Sequence, residues 1–171
     1  MDRNSLRTAS RRVVLCALLA AVMTGLQVAM SLLPNIEPVS LLVMVYALVF
    51  GRDVFCIIFT FVMLEGLVFG FHLWWLSYLY IWPLWAGIVL LLGRGREKGP
   101  LVWAVASGAF GLSFGALFAL PYLAGGPWAA FSYWVAGIPF DLIHCVGNFF
   151  LALALERPLY QVLSLARDRM R

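Results

Sequence analysis

Apolar residues run along this chain in long blocks, broken at intervals by short polar or Pro/Gly-rich stretches. Reading between the breaks gives six spans, near Val13–Leu33, Val39–Phe50, Val54–Phe71, Tyr78–Leu92, Leu101–Pro121 and Trp128–Leu155. A bilayer's hydrocarbon core takes about 20 helical residues to cross, so the pattern predicts an all-α integral membrane protein, a bundle of six transmembrane helices. Two spans are odd in length. The second holds only about 12 residues, which requires tilt, extension into the preceding loop or incomplete crossing. The sixth, at about 28 residues, predicts a long helix bent near Gly137 and Pro139, because an interior proline removes a backbone hydrogen bond.

Composition sharpens this picture. The 171 residues are 64% hydrophobic and 12% charged, with a mean hydropathy of +0.95; soluble domains are roughly 45–50% apolar and about 25% charged. Six crossings leave almost nothing for a soluble domain, so residues 1–171 read as a single membrane domain.

Charge placement tests the span count independently. All twelve basic residues fall before span one, between spans two and three, between four and five, or after six. The connections near Pro34–Pro38, His72–Ser77 and Tyr122–Pro127 carry none. The positive-inside rule therefore predicts cytoplasmic termini and a cytoplasmic location for the basic turns. The net charge of +4 then belongs to anchors facing anionic headgroups or cytoplasmic proteins, with no nucleic-acid partner implied. Trp74, Trp75, Tyr78 and Trp128 cluster at the uncharged end, where an aromatic belt is expected, and Tyr160 suits the opposite end. A cleaved signal peptide over the first span is disfavoured, because its removal would spoil the charge parity.

Several chemistries lack their motifs. No Gly-Lys-Ser/Thr follows a glycine-rich stretch, and neither His-Glu-x-x-His nor Gly-x-Ser-x-Gly occurs. Cys16, Cys56 and Cys145 are isolated and suggest packing rather than a disulfide or metal framework. The sequence therefore predicts no enzyme, no cofactor and no metal site.

What remains is a set of polar residues where burial in lipid is costly: Asn35 and Glu37 in the first outer loop, Glu65 in span three, His72 at its outer end, and Asp141, His144 and Asn148 in span six. An ionisable side chain within a membrane faces a cavity or a partner. The i, i+3, i+7 spacing puts Asp141, His144 and Asn148 on one helical stripe, and Glu65 and His72 share a face in the same way. Asp141 and His144 either contact a ligand or pair with each other; Asn148 is either a ligand contact or interhelical glue. Trp75, Trp82, Trp103, Tyr122, Tyr133 and Trp134, assigned to the outer half, suit stacking on a flat organic ligand. Small residues form two stripes, Ala17-x-x-x-Ala21 in span one and Ser107, Gly111, Gly115 and Ala119 in span five, where another helix can approach closely.

Taken together, the size, the six spans, Ala17-x-x-x-Ala21, the stretch Pro34-Asn35-Ile36-Glu37-Pro38-Val39-Ser40 before a short second span, and Gly137-Ile-Pro-Phe-Asp141-Leu-Ile-His144-Cys-Val-Gly147-Asn148 resemble the substrate-binding S-components of energy-coupling factor (ECF) transporters. The resemblance implies a multi-pass protein of a bacterial cytoplasmic membrane that captures a small vitamin-like micronutrient from outside. It further implies docking through Ala17 and Ala21 on a transmembrane coupling protein carrying two cytoplasmic ATPases, with the loop around Asn35–Glu37 as a lid. Nickel and cobalt members carry a His-rich amino terminus, which the opening Met1-Asp2-Arg3-Asn4 lacks. Carboxylates without basic neighbours favour a ligand with N–H donors or positive charge over an anion. Two other classes stay open: a structural membrane protein without a ligand, and a stand-alone channel or exporter that oligomerises through the span-five stripe.

Overall fold

Every element among the described residues is helical. The structure, a computed structural model, describes residues 3–32, 36–95 and 98–170, with side chains described over 10–32, 36–95 and 98–169. The α-helices are α1 (Arg3–Ala29), α2 (Val39–Phe50), α3 (Val54–Phe69), α4 (Leu73–Leu92), α5 (Pro100–Phe118) and α6 (Pro127–Met170), with 3-10 turns at Gly51–Asp53 and Leu120–Gly125. Five stretches are long and apolar enough to cross a membrane: Ser10–Ala29, Val39–Phe69, Leu73–Leu92, Pro100–Gly125 and Pro127–Arg169. The second of these contains both α2 and α3.

Local chemistry sets the boundaries. Gly51 (φ 59°) ends α2 and Gly70 (φ 90°) ends α3, both in a backbone region that residues with a Cβ rarely adopt. The α3 helix therefore stops at Phe69 rather than Phe71. The next helix starts at Leu73 rather than Tyr78, so the belt residues Trp74 and Trp75 are helical. Pro100 opens α5, where its missing N–H is no loss. The last helix runs unbroken for 44 residues, through Pro139 and Pro158, beyond the boundary expected at Leu155.

Glu37, just ahead of α2, and Glu65, near the end of α3, line the same cavity; the two helices therefore run in opposite directions about Gly51–Asp53. The far end of the bundle gathers basic groups from separate parts of the chain. Arg12 of α1 pairs with Asp53, the Arg167 guanidinium donates to the Val49 carbonyl at 2.7 Å, and Lys98 and Arg157 border a second cavity of about 510 Å³. One end of the fold is thus a cavity end and the other a basic end. Trp103, assigned from sequence to the outer half, borders that second cavity and so lies at the basic end.

The short α2 forms the axis of the bundle: every residue except Leu48 and Phe50 is buried, with α4 and α6 packed on it. Its first turn is held where the Trp85 indole N–H donates to the Ser40 carbonyl at 2.8 Å. Trp85 in turn stacks on Phe110 of α5, with ring centroids 4.6 Å apart. The most extensive contact is between α5 and α6. A Cβ placed on Gly111 would come within 2.8 Å of the His144 carbonyl oxygen, and one on Gly108 within 3.3 Å of that of Cys145. The span-five stripe is therefore consumed by packing within the chain, which removes the surface required for oligomerisation through it.

This close approach has a measurable consequence. Gly111→Ala should force α5 and α6 apart and destabilise the fold by about 1–3 kcal/mol, the usual cost of overpacking. Gly25→Ala, where an added Cβ meets nothing within 4 Å, should be neutral or slightly stabilising. Thermal melts of both variants in detergent check the contrast; equal melting temperatures would disprove the tight α5–α6 contact.

Candidate functional site

A cavity of about 740 Å³ occupies the end opposite the basic groups. It exists because α2 is short. Twelve residues rise only about 18 Å, against about 30 Å for the 20 residues of α4, so the neighbouring helices extend past the start of α2, where the described residues place no helix between them. Gln27, Met30 and Ser31 close one side, and Glu65 and Phe69 of α3 adjoin them. Trp74 and Tyr78 come from α4, Phe114, Gly115 and Phe118 from α5. The remaining wall is α6, with Tyr133, Gly137 and Asp141, and with Ala136 and Phe140 exposed at its margin.

The polar groups in this cavity are incompletely bonded. Asp141 accepts the Gly115 N–H at 2.9 Å through Oδ1, while its Oδ2 is buried with no protein partner. Glu65 is 1% exposed, and its Oε1 is likewise unpartnered. The Gln27 amide N–H lies 3.4 Å from the Tyr78 hydroxyl oxygen, leaving Gln27 Oε1 buried and unpaired. Three acceptor oxygens on three helices thus lack a donor, although buried polar groups are nearly always paired. Among the described residues no Lys or Arg lines the cavity. Burial pushes the carboxyl of Glu37, in the loop ahead of α2, up to about 7, against a smaller opposing pull from Gln27.

The structure brings together Glu37, Glu65, Tyr133 and Asp141 of the residues read from sequence. Asn35 lies outside the described residues. His144 is 2% exposed and sits behind the wall, edge-on to Phe114 at 4.8 Å. Its Nε2 lies 3.4 Å from the Ser40 hydroxyl and 3.9 Å from Glu37 Oε1. Asp141 is bonded to α5 backbone instead of to His144, so the pairing alternative gives way to separate partners. Asn148 is no cavity residue: its amide lies within 3.4 Å of the Ser107 carbonyl, which makes it interhelical glue between α6 and α5.

His72, Trp75 and Trp134 are also corrected. His72 follows the break at Gly70, is extended rather than helical, and lies exposed with its imidazole over Gly70; the face it was to share with Glu65 ends before it. The Trp75 indole donates to the Val62 carbonyl at 2.8 Å and packs on Phe71. Trp134 is an exposed outward residue. Of the remaining stacking candidates, Trp82 is core, and Tyr122 stacks on the cavity residue Tyr133 with centroids 4.0 Å apart.

Sequence reasoning missed Gln27, Phe114 and Phe118 as cavity residues and assigned Trp74 and Tyr78 only to the belt. Gln27 did carry a signal, as an amide inside an apolar span. No cluster of three metal-ligating side chains occurs among the described residues.

Replacing Asn148 should separate glue from ligand contact. Asn148→Ala loses its bond to α5, so the melting temperature should fall by an amount equivalent to about 0.5–2 kcal/mol, with ligand affinity unchanged. Isothermal titration alongside a melt measures both, and lost affinity at unchanged stability would restore Asn148 to the site.

No family model, no curated protein and no solved structure matches this chain, and its functional reading rests on the cavity and faces described above.

Proposed function

We propose that this protein is the substrate-capture component of an ECF-type importer, crossing the membrane six times with both termini in the cytoplasm. The observation that carries the reading is the cavity of about 740 Å³ with unpartnered acceptors from Gln27, Glu65 and Asp141, at the end away from the basic residues. Under the positive-inside rule the basic end is cytoplasmic, so the cavity faces outward and takes a small heterocyclic micronutrient from outside. The loop carrying Glu37 closes over it.

Delivery requires a partner, because the chain has no phosphate-binding loop of its own. Ala17 and Ala21 are exposed, while Cys16, Leu19, Ala20 and Met23 on the other face are buried. Gly25, also exposed, continues the stripe one turn further. A smooth face of this kind lets a coupling-protein helix approach closely, and two cytoplasmic ATPases on that partner supply the energy.

Ala17→Leu and Ala21→Leu should each abolish ATP-driven uptake and co-purification of a coupling protein with its ATPases, while any small molecule retained on purification stays bound. Uptake at the wild-type level in both variants would remove the docking assignment. The topology is checked separately with an impermeant thiol reagent applied outside intact cells. Ala124→Cys should be labelled and Arg94→Cys should not; the reverse pattern would invert the orientation.

A further inference from the structure

The cavity holds more potential negative charge than it can keep when empty. Glu37, Glu65 and Asp141 all line it, and among the described residues no Lys or Arg does. Glu37 shares the cavity with Gln27 from α1, Glu65 from α3, Tyr78 from α4, and Tyr133 and Asp141 from α6, and its Oε1 lies 3.9 Å from His144 Nε2; among the described residues α5 lines the cavity only with the uncharged Phe114, Gly115 and Phe118. His144 lies near enough to Glu37 to compensate it, but at 2% exposure and packed against Phe114 it would have to carry that charge without hydration. Several carboxylates sharing one cavity ionise less readily together, since each loses hydration and repels the others. Some of them therefore hold protons until a positive charge arrives.

The walls define what kind of cation fits. A hard metal ion needs about six or more oxygens closing around it, and no such group is present among the described residues. The cavity presents rings instead: Tyr78 stands edge-on to Trp74 at 5.1 Å and to Phe118 at 6.2 Å, and Tyr133 lies nearly parallel to Phe118. Aromatic faces attract organic cations once these are desolvated. The unpartnered oxygens of Gln27, Glu65 and Asp141 approach from different helices, so a single occupant needs N–H groups on more than one edge to satisfy them.

We propose that the cavity selects a flat organic monocation with N–H donors on more than one edge, of the amidinium or protonated amino-heterocycle class, and that it binds in exchange for a proton from the carboxyl cluster. The exchange balances: a carboxylic O–H releases its proton to solvent, the carboxylate accepts the ligand's N–H, and the net charge of the site is unchanged. Gln27, held by Tyr78, sets specificity by accepting a further N–H. This deepens the substrate-capture reading and rests on the same cavity, but it is independent of docking.

The test uses the purified full-length protein in detergent, without any coupling partner, and three probes of similar shape: benzamidinium, benzamide and benzoate. Titration calorimetry at pH 8 should give benzamidinium at least ~10-fold tighter binding than benzamide, the scale of one charge-assisted hydrogen bond, and no binding of benzoate. Because the Glu37 carboxyl lies at about 7, the cation must displace its proton at lower pH, so affinity should fall as pH drops from 8 to 6. At pH 6.5, titrations in buffers of different ionisation enthalpy should show about half a proton or more released per cation bound. Glu65→Gln should cut the benzamidinium preference by roughly tenfold while a melt shows the protein folded. Benzamide binding as tightly as benzamidinium, tighter binding of benzoate, no binding of any probe, or cation binding without proton release would each overturn the proposal. Any of these results together with intact partner-dependent uptake would leave the capture role standing and remove only the charge assignment.

Discussion

The near contact of the α5 and α6 backbones is the constraint on which the rest of this structure hangs. Gly108, Gly111 and Gly115 leave no side chain on the facing side of α5, and the Cys145 and His144 carbonyls of α6 occupy that room. Only at this separation does the Asp141 carboxylate reach the Gly115 N–H at 2.9 Å. One oxygen is then committed to the backbone and the other is buried without a protein partner among the described residues, which makes a costly buried acid a fixed feature of the cavity wall. The same contact aligns Asn148 with the Ser107 carbonyl about two turns further along.

A second constraint is the length of α2. The sequence showed it as a span of about 12 residues and left tilt, extension or incomplete crossing as explanations. The helix has those bounds, and the cavity lies at the end where α2 begins. Being wrapped by its neighbours, α2 can be apolar on every face, which is why its residues show no helical alternation of polar and apolar positions. Periodicity gave its existence; nothing in periodicity gave its central position, which follows from contacts with α4 and α6, both distant in sequence.

Legibility of the site followed the cost of burial. Glu65 and Asp141 stood out because a carboxylate in an apolar span demands a reason, and both line the cavity. His144 and Asn148 were grouped with Asp141 by their shared stripe, but a stripe fixes direction and not depth. Seven residues along a helix amount to about 10 Å, enough to carry Asn148 out of the cavity and into the α5 contact. His72 failed for the complementary reason, since helical spacing was extended past the left-handed Gly70. The aromatic wall was unreadable in a chain that is 15% aromatic: nothing local separates Phe114 and Phe118 from their lipid-facing counterparts, and only the packing of α4, α5 and α6 does so.

The α1 helix meets the rest of the bundle along one face. It packs chiefly on α3 and to a lesser degree on α2, with one face carrying Cys16, Leu19, Ala20 and Met23 into the core and the remainder exposed. Gln27, Met30 and Ser31 at its far end border the cavity, opposite Ala136 and Phe140 of α6. A displacement of α1 would therefore alter the cavity mouth directly, while leaving the α5–α6 contact and the Asp141 bond intact. The stripe of Ala17, Ala21 and Gly25 lies on the exposed side of this same helix, so in the reading proposed above a partner helix seated there would contact the element that borders the cavity.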